Sequence, residues 1–460
     1  MVPDPLVTAL AAVVPPGVRA VCEVLVGAGH EAVTVGGAVR DALLDRHPGD
    51  WDIATSARPE QVVALFEKTI PTGLQHGTVT VVVGKGRGRE AIEVTTYRGE
   101  GPYLDGRRPT SVVFGVPLIE DLARRDLVVN AIAYDPVAGV LHDPFDGRGD
   151  IAARRLRAVG DASARFTEDG LRVMRAIRFA ATLGFALDPD TEAAIPAALP
   201  SLAKVSRERV KVELDKTLAA PAPGDALEIA RRTGVLDQEL PEAMAGLARG
   251  ADGRSGSAHD PTWRLRRAWI DAAPADVAVR AAVLLSGLTG GAWAQVADPR
   301  TVATGDATAT AAADACWRRL KGANDERDRV VRLVKVAWAG GAPLGEVAVR
   351  RLLAAVGRAR GDDVVALWAA RATAASALGM AVDAAADVAA IGRTILGRGD
   401  ALAGGELALT GAVLMAELGI PPSREVGRLL EVALDAVLDD PALNDRERLL
   451  EIARRAQLGQ

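Results

Sequence analysis

Apolar positions along the chain change their spacing near residue 150. Before it they fall in short runs bounded by glycine and polar clusters; beyond it they recur at helical intervals. Residues 5–30 read as two short helices broken at Pro15–Pro16, the second ending at Gly27–Gly29. Ala32 to Val35 is an apolar run that enters the glycine pair Gly36–Gly37. A short helical pattern follows, and Asp50-Trp51-Asp52 opens a second apolar run. Pro59 to Lys68 reads as a helix. Thr78 to Val83 and Ala91 to Thr96 are β-branched and bounded by glycines, so both read as strands. These elements predict a small mixed sheet with helices on one side. Residues 98–115 are rich in glycine, proline and charge and read as a polar loop, either disordered or a functional lid. Asp143 to Ile151 is a turn cluster. Everything after it reads helical, including the Ala-, Leu- and Val-rich stretch 346–460 with breaks at Gly404–Gly405 and Pro421–Pro422. The expected fold class is α+β: a mixed-sheet head over 1–150, a helical neck over 151–220, a helical body over 221–345 and a helical tail over 346–460.

A chain of 460 residues exceeds one ordinary core and predicts two to four domains. Aromatic residues are 3% of the chain, so extended base-stacking platforms are not expected. The net charge of −5 argues against a uniformly basic coat and leaves room for a local basic stripe. Cys22 and Cys316 are far apart and suggest neither a disulfide framework nor a zinc site. The opening Met-Val-Pro-Asp-Pro lacks the basic start of a secretion signal, and no apolar run reaches about 18 residues without a charge. No membrane span is expected, and a reducing cytoplasm is the expected compartment.

Candidate chemistry centres on Gly36 to Thr55. Glycines after a strand let backbone N–H groups approach a phosphate. Asp50 and Asp52, at i and i+2 of an extended segment, point to one side. Paired carboxylates beside a phosphate cradle suit Mg²⁺, which takes hard oxygen ligands together with substrate phosphates. Each part alone is more often an ordinary turn. The joint order of strand, Gly-Gly-x-x-Arg-Asp, short helix and Asp-x-Asp is far more specific. It resembles the signature of the class II tRNA nucleotidyltransferase (CCA-adding enzyme) and bacterial poly(A) polymerase family, in the DNA polymerase β superfamily. The resemblance implies a polymerase β-like nucleotidyltransferase head, with Mg²⁺ held by Asp50 and Asp52 and triphosphate bound by Gly36, Gly37 and Arg40. Glu93, in Ile-Glu-Val-Thr-Thr-Tyr-Arg, is either a third carboxylate for that site or a solvated strand residue.

Further stretches carry the same resemblance in order. In the family a flexible loop corresponding to 98–115 helps switch nucleotide choice, which points to Asp105, Arg107 and Arg108. Arg124-Arg125-Asp126 runs directly into an apolar stretch, as a helix start or a strand entry would. It resembles the motif Arg-Arg-Asp-x-x-x-Asn-Ala, which implies that Arg125 binds nucleotide while Asp126 and Asn130 shape the ribose side. Leu127–Val128 stands where most relatives have Phe-Thr.

Glu168 to Ala180 reads as one helix with Asp169, Arg172, Arg175 and Arg178 spaced by three. One reading is a salt-bridged helix surface. The other is base recognition. Arginine only donates and aspartate only accepts. Cytosine (N3, N4) and adenine (N1, N6) each offer one acceptor beside one donor, so an Arg–Asp pair satisfies both. Guanine and uracil present the reverse order and would face donor to donor. Similarity to the family's Glu-Asp-x-x-Arg-x-x-Arg motif implies that Asp169 and Arg172 read the base, with Arg175 and Arg178 by nucleotide or phosphate. Lys204 to Leu214 resembles the motif Ser-x-Glu-Arg-x-x-x-Glu-Leu and reads as a helix that steadies the base-reading one.

Some relatives carry a phosphohydrolase domain where this chain has Val279 to Leu288. Here Ser286–Gly287 occupies the His-Asp position, and no histidine follows His259. The region is expected to keep a helical scaffold without hydrolase chemistry. The whole pattern implies an enzyme that adds CCA, or part of it, to tRNA 3′ ends from CTP and ATP with release of pyrophosphate. A poly(A) polymerase, a CC-only or A-only enzyme, and a non-catalytic RNA-binding scaffold are the alternatives. The tail is expected to grip the outer arm of a tRNA.

Overall fold

The computed structural model describes residues 5–84, 86–100, 112–245, 247, 255–286, 307–341, 343–380 and 384–459. They form two compact units, residues 1–213 and 214–460. No single helix among the described residues is long and apolar enough to cross a membrane.

In the first unit, α1 (Pro5–Val13) and α2 (Pro16–Gly27) precede β1 (Ala32–Val35), α3 (Gly37–Leu43), β2 (Asp52–Thr55) and α4 (Pro59–Leu65). Three strands then run β3 (Thr69–Gly73), β4 (Thr78–Val83) and β5 (Glu90–Thr96). β6 (Arg98–Glu100) and β7 (Val112–Phe114) pair antiparallel on their own, so the stretch read as loop is flanked by a short two-stranded ribbon. Asp105, Arg107 and Arg108 lie outside the described residues. α5 (Leu118–Ala123) leads through the 3₁₀ turn Val128–Asn130 to β8 (Ala133–Asp135) and β9 (Val140–His142).

The main sheet has the order β3-β4-β5-β2-β1-β8-β9, with β2 and β5 parallel and the other pairs antiparallel. The mixed sheet is as expected. The coverage is not: apolar clusters lie on both faces. Ala32, Ile53, Val79, Ile92, Val94 and Tyr134 pack with Leu10, Val18, Val21, Leu25 and Val62 of the helices α1, α2 and α4. On the other face Val33, Val35, Ala54 and Ala133 pack with Tyr97, Leu122, Val128 and Val159. A central strand buried on both sides carries apolar residues at consecutive positions, and Ala32–Val33 does so.

The turn cluster opens α6 (Gly147–Ala152). Asp143 accepts the N–H groups of Gly147 (2.6 Å) and Arg148 (2.9 Å). A Cβ on Gly147 would meet Ile132 Cγ1 at 2.6 Å and the Val128 carbonyl oxygen at 2.9 Å, so the chain passes there only as glycine. Beyond it α7 (Ala162–Glu168) and α8 (Leu171–Leu183) are followed by shorter helices, and the last helix of the unit, Arg207–Leu218, runs across the division between the two units.

The second unit is built of helices, with Trp263, Trp269, Trp317 and Trp368 fully buried. Trp269 donates to the Leu367 carbonyl at 2.7 Å and Trp368 to the Val336 carbonyl at 3.0 Å, so two of the indole N–H groups are met inside the core. Asp260, of the dipeptide His259–Asp260, caps the helix Pro261–Ala272 by accepting from Thr262 and Trp263. Cys22 in the first unit and Cys316 in the second are buried free thiols, each pushed up to about 12 by burial.

Asp400 gathers Arg350 (2.9 Å) and Arg398 (2.6 Å), and hydrogen bonds from Arg398 hold its carboxyl below the usual range. Arg350 is 1% exposed, and without Asp400 it keeps the half-exposed Glu346 at 3.2 Å as an acid partner. Asp400→Ala is expected to cost about 2–3 kcal/mol at pH 7, read as a lowered melting temperature. Because the folded pKa is depressed, the pair contributes fully above the unfolded value near 4 and its contribution fades as pH falls through the folded one. The gap between wild type and variant is therefore expected to narrow below pH 4, and a gap independent of pH would contradict this account.

Candidate active site

β1 delivers the chain into Gly36, whose φ of 78° favours glycine, and α3 begins at the next residue. A Cβ on Gly36 would meet Arg125 Nη1 at 3.1 Å. Its absence lets backbone and guanidinium face one space. Arg40, on α3, is buried; its Nε donates to Asp41 Oδ1 at 2.9 Å and its Nη1 to Asn130 Oδ1.

Asp52 is the first residue of β2 and pairs with Val35, one residue before Gly36. The parallel register of Ile53 with Val94 sets Asp52 beside Glu93 on the neighbouring strand. Its carboxyl is pushed up to about 6, by desolvation first, then by the charges of Glu93 and Asp50, against the lowering effect of Arg125. Carboxylates that raise each other's proton affinity are those a divalent cation relieves, so the donor set fits a hard cation. Among the described residues no three His, Cys, Asp or Glu side chains form a ready-made metal cage. A cation here would complete its shell with phosphate oxygens.

The segment Arg124-Arg125-Asp126 is neither a helix start nor a strand entry. It follows the end of α5 and turns into the 3₁₀ turn at Val128. Asp121 of α5, 1% exposed, accepts from Arg124 Nε (3.0 Å) and Nη2 (2.9 Å) and from Arg125 at 3.5 Å. Burial lowers the pKa of Arg125, and its Nε finds no hydrogen-bond partner among the described residues. Asp126 is buried too, which alone would raise its carboxyl. Arg175 at 2.7 Å, Asn130 at 3.2 Å and the Leu127 N–H at 2.9 Å more than offset this and bring it down to about 2.

The stretch 168–180 is not one helix. α7 ends at Glu168 and α8 starts at Leu171, so Asp169 stands in the break instead of on a helical stripe. The cause lies in the third dimension: a Cβ on Gly170 would sit 2.3 Å from the Leu202 backbone N and 2.4 Å from the Ser201 carbonyl carbon. Asp169 caps the new helix through the Leu171 N–H (3.0 Å) and meets Arg209 Nη2 at 3.4 Å. Arg172 donates to Glu168 (2.7 Å) and to the carbonyls of Arg165 and Arg124, both at 3.1 Å. Arg178 is bridged to Glu213 at 2.6 Å.

These groups surround a cavity of about 520 Å³. Gly36, Gly37, Arg40, Asp52, Arg125, Asp169, Arg172, Arg175 and Arg178, all expected from sequence, line it together. Asp50 and Glu93 act on Asp52 electrostatically without lining the cavity. Arg124, Leu171, Phe179 and Arg209 also line it and were not expected there. Arg209 had a signal, the basic residues of Ser206-Arg207-Glu208-Arg209; Phe179 had none, since an aromatic on a helix reads as core. A larger cavity of about 740 Å³ shares no lining residue with this one and lacks its arginines.

The family described as Poly A polymerase head domain matches residues 32–157, and the one described as Probable RNA and SrmB- binding site of polymerase A matches 184–247. The CCA-adding enzyme of Geobacillus stearothermophilus is 54% identical over 207 residues, 45% of this chain and 50% of that protein. That of Leuconostoc citreum is 49% identical over 210 residues, 46% and 51% of the two chains. The chain thus spans about half the length of the curated relatives it matches. In structure, it is similar to the Bacillus stearothermophilus CCA-adding enzyme in complex with CTP, with a TM-score of 0.67, 30% identity and coverage of 97% of this chain and 99% of that one. It shares its fold with the Thermotoga maritima CCA-adding enzyme complexed with tRNA, at a TM-score of 0.66, 17% identity and 98% coverage of both chains.

The Gly170 approach is directly testable. Gly170→Ala is expected to cost about 1–3 kcal/mol of stability through backbone collision, whereas Gly27→Ala, in open space at the end of α2, stays within about 1 kcal/mol of wild type. Equal melting temperatures for the two variants would contradict the close packing.

Proposed function

The chain belongs to the CCA-adding enzyme family, and from that membership we propose a Mg²⁺-dependent nucleotidyltransferase that adds CCA, or part of it, to tRNA 3′ ends from CTP and ATP, releasing pyrophosphate. One observation carries the reading. A single cavity has Asp52 among its lining residues together with Asp169 and Arg172. Its lining counts seven arginines against three aspartates, an imbalance suited to a polyphosphate.

In this reading Asp50 and Asp52 hold Mg²⁺, with Glu93 beside them. What Mg²⁺ supplies when bound is activation of the primer 3′-hydroxyl and neutralisation of the leaving pyrophosphate. Gly36 and Gly37 offer backbone N–H groups to the triphosphate, and Arg40 and Arg125 offer guanidinium donors. Asp126 and Asn130 bound the ribose side. Asp169 accepts from the amino group of cytosine or adenine while Arg172 donates to the neighbouring ring nitrogen. Glu168 and Arg209, already bonded to this pair, fix its aim. Arg175 and Arg178 face the nucleotide from the same helix. The four-part division into head, neck, body and tail fits this use, with the tail on the outer arm of the tRNA, the body a scaffold, and the cytoplasm the compartment.

The test gives the protein tRNA ending at its discriminator base, at C and at CC, with each labelled nucleoside triphosphate. Ordered addition of C, C and A is expected. UTP and GTP should be used roughly 100-fold less, since each misplaced donor or acceptor costs about 1–3 kcal/mol. Comparable use of UTP or GTP would defeat the base-reading claim, and long A tracts would favour poly(A) synthesis. Asp52→Ala is expected to abolish transfer while leaving the melting temperature near wild type; retained transfer would defeat the role given to Asp52, and unchanged cellular function in a variant that has lost transfer would favour a non-catalytic RNA-binding role.

A further inference from the structure

Among the described residues Phe179 is the one aromatic lining the nucleotide cavity, and three guanidinium groups lie close to its ring. The Cζ atoms lie 3.9 Å (Arg178), 5.1 Å (Arg40) and 5.5 Å (Arg175) from the ring centroid. All three fall within the range where a cation is attracted by an aromatic face. Phe179 itself is 5% exposed, so the ring is desolvated and the attraction is little screened.

The other side of each guanidinium is held by an acid or amide. Arg40 meets Asp41 and Asn130, Arg175 meets Asp126, and Arg178 meets Glu213. A fourth carboxylate at the centre would hold three cations together but would cancel charge that an anionic ligand needs. An aromatic face attracts the cations and carries no net charge. The three groups come from two elements, α3 and α8, so the ring also ties the glycine-pair wall to the arginine-bearing helix.

We propose that Phe179 is a positioning residue for nucleotide binding: its ring gathers Arg40, Arg175 and Arg178 into one cluster without consuming their charge, and so sets the affinity for the triphosphate. The inference rests on the cavity being a nucleoside triphosphate site. Inorganic tripolyphosphate is the probe, because it reads the cation cluster with no base and no chemistry.

Phe179→Met keeps most of the volume and loses the face; Phe179→Tyr keeps the face. Tripolyphosphate binding by calorimetry is expected to weaken about tenfold in Phe179→Met, a change of about 1.4 kcal/mol, and to stay within about twofold in Phe179→Tyr. The KM for CTP should rise by a similar factor in Phe179→Met with kcat little changed, a split that a general loss of packing would not produce. Wild-type affinity in a Phe179→Met protein that melts normally overturns the proposal and leaves the function reading intact. Equal loss in the Met and Tyr variants also overturns it, since the face would then be irrelevant. Wild-type protein that binds neither tripolyphosphate nor CTP overturns both.

Discussion

Crowding seven guanidinium groups around a cavity of about 520 Å³ is electrostatically unfavourable until an anion arrives, and the first unit answers that constraint residue by residue. Asp121 restrains Arg124 and Arg125, Asp126 restrains Arg175, Glu168 restrains Arg172, and Glu213 restrains Arg178. Asp121, Asp126 and Glu213 are buried, so water screens the attraction little. The result is a set of cations aimed in advance, so little rearrangement would remain for a polyphosphate of the kind proposed.

The same ion pairs bind the helices between residue 150 and Glu213 to the head. Residues through Glu213 form one compact unit with the sheet. Asp126, which follows α5, and Arg175, on α8, meet across 49 residues of sequence. Arg46, just after α3, donates to the carbonyls of Thr182 and Leu183 at the end of α8, where a cation also suits the helix dipole. A strand end, a turn and a helix are fixed to each other by charge as much as by apolar packing.

The legibility of this arrangement follows the range of the forces behind it. Local patterns were readable: β-branched Thr78 to Val83 formed its strand, and Gly36–Gly37 formed its strand-to-helix turn. Three-residue strands such as Ala133–Asp135 carry too few positions for a period and gain their place from pairing with β1. The break at Asp169–Gly170 was hidden because acids ahead of an apolar stripe look like an ordinary helix start; the reason for it is the backbone of Ser201–Leu202, a contact between segments 31 or more residues apart. Eleven of the expected site residues, Asp126 and Asn130 included, line one cavity, since motif order encodes them. The partners that hold them, Asp121 and Arg209 above all, depend on three-dimensional proximity that spacing does not express.

The tight passage at Gly170 has a wider meaning. Main chain rests there on main chain, and no side-chain rotation can widen or relax the spacing. The start of α8 is thereby indexed to the end of the helix Ile195–Leu202 without reference to which residues decorate either surface. A change of side chain on the exterior of these helices leaves that backbone contact in place, and with it the direction from which Asp169 and Arg172 enter the cavity.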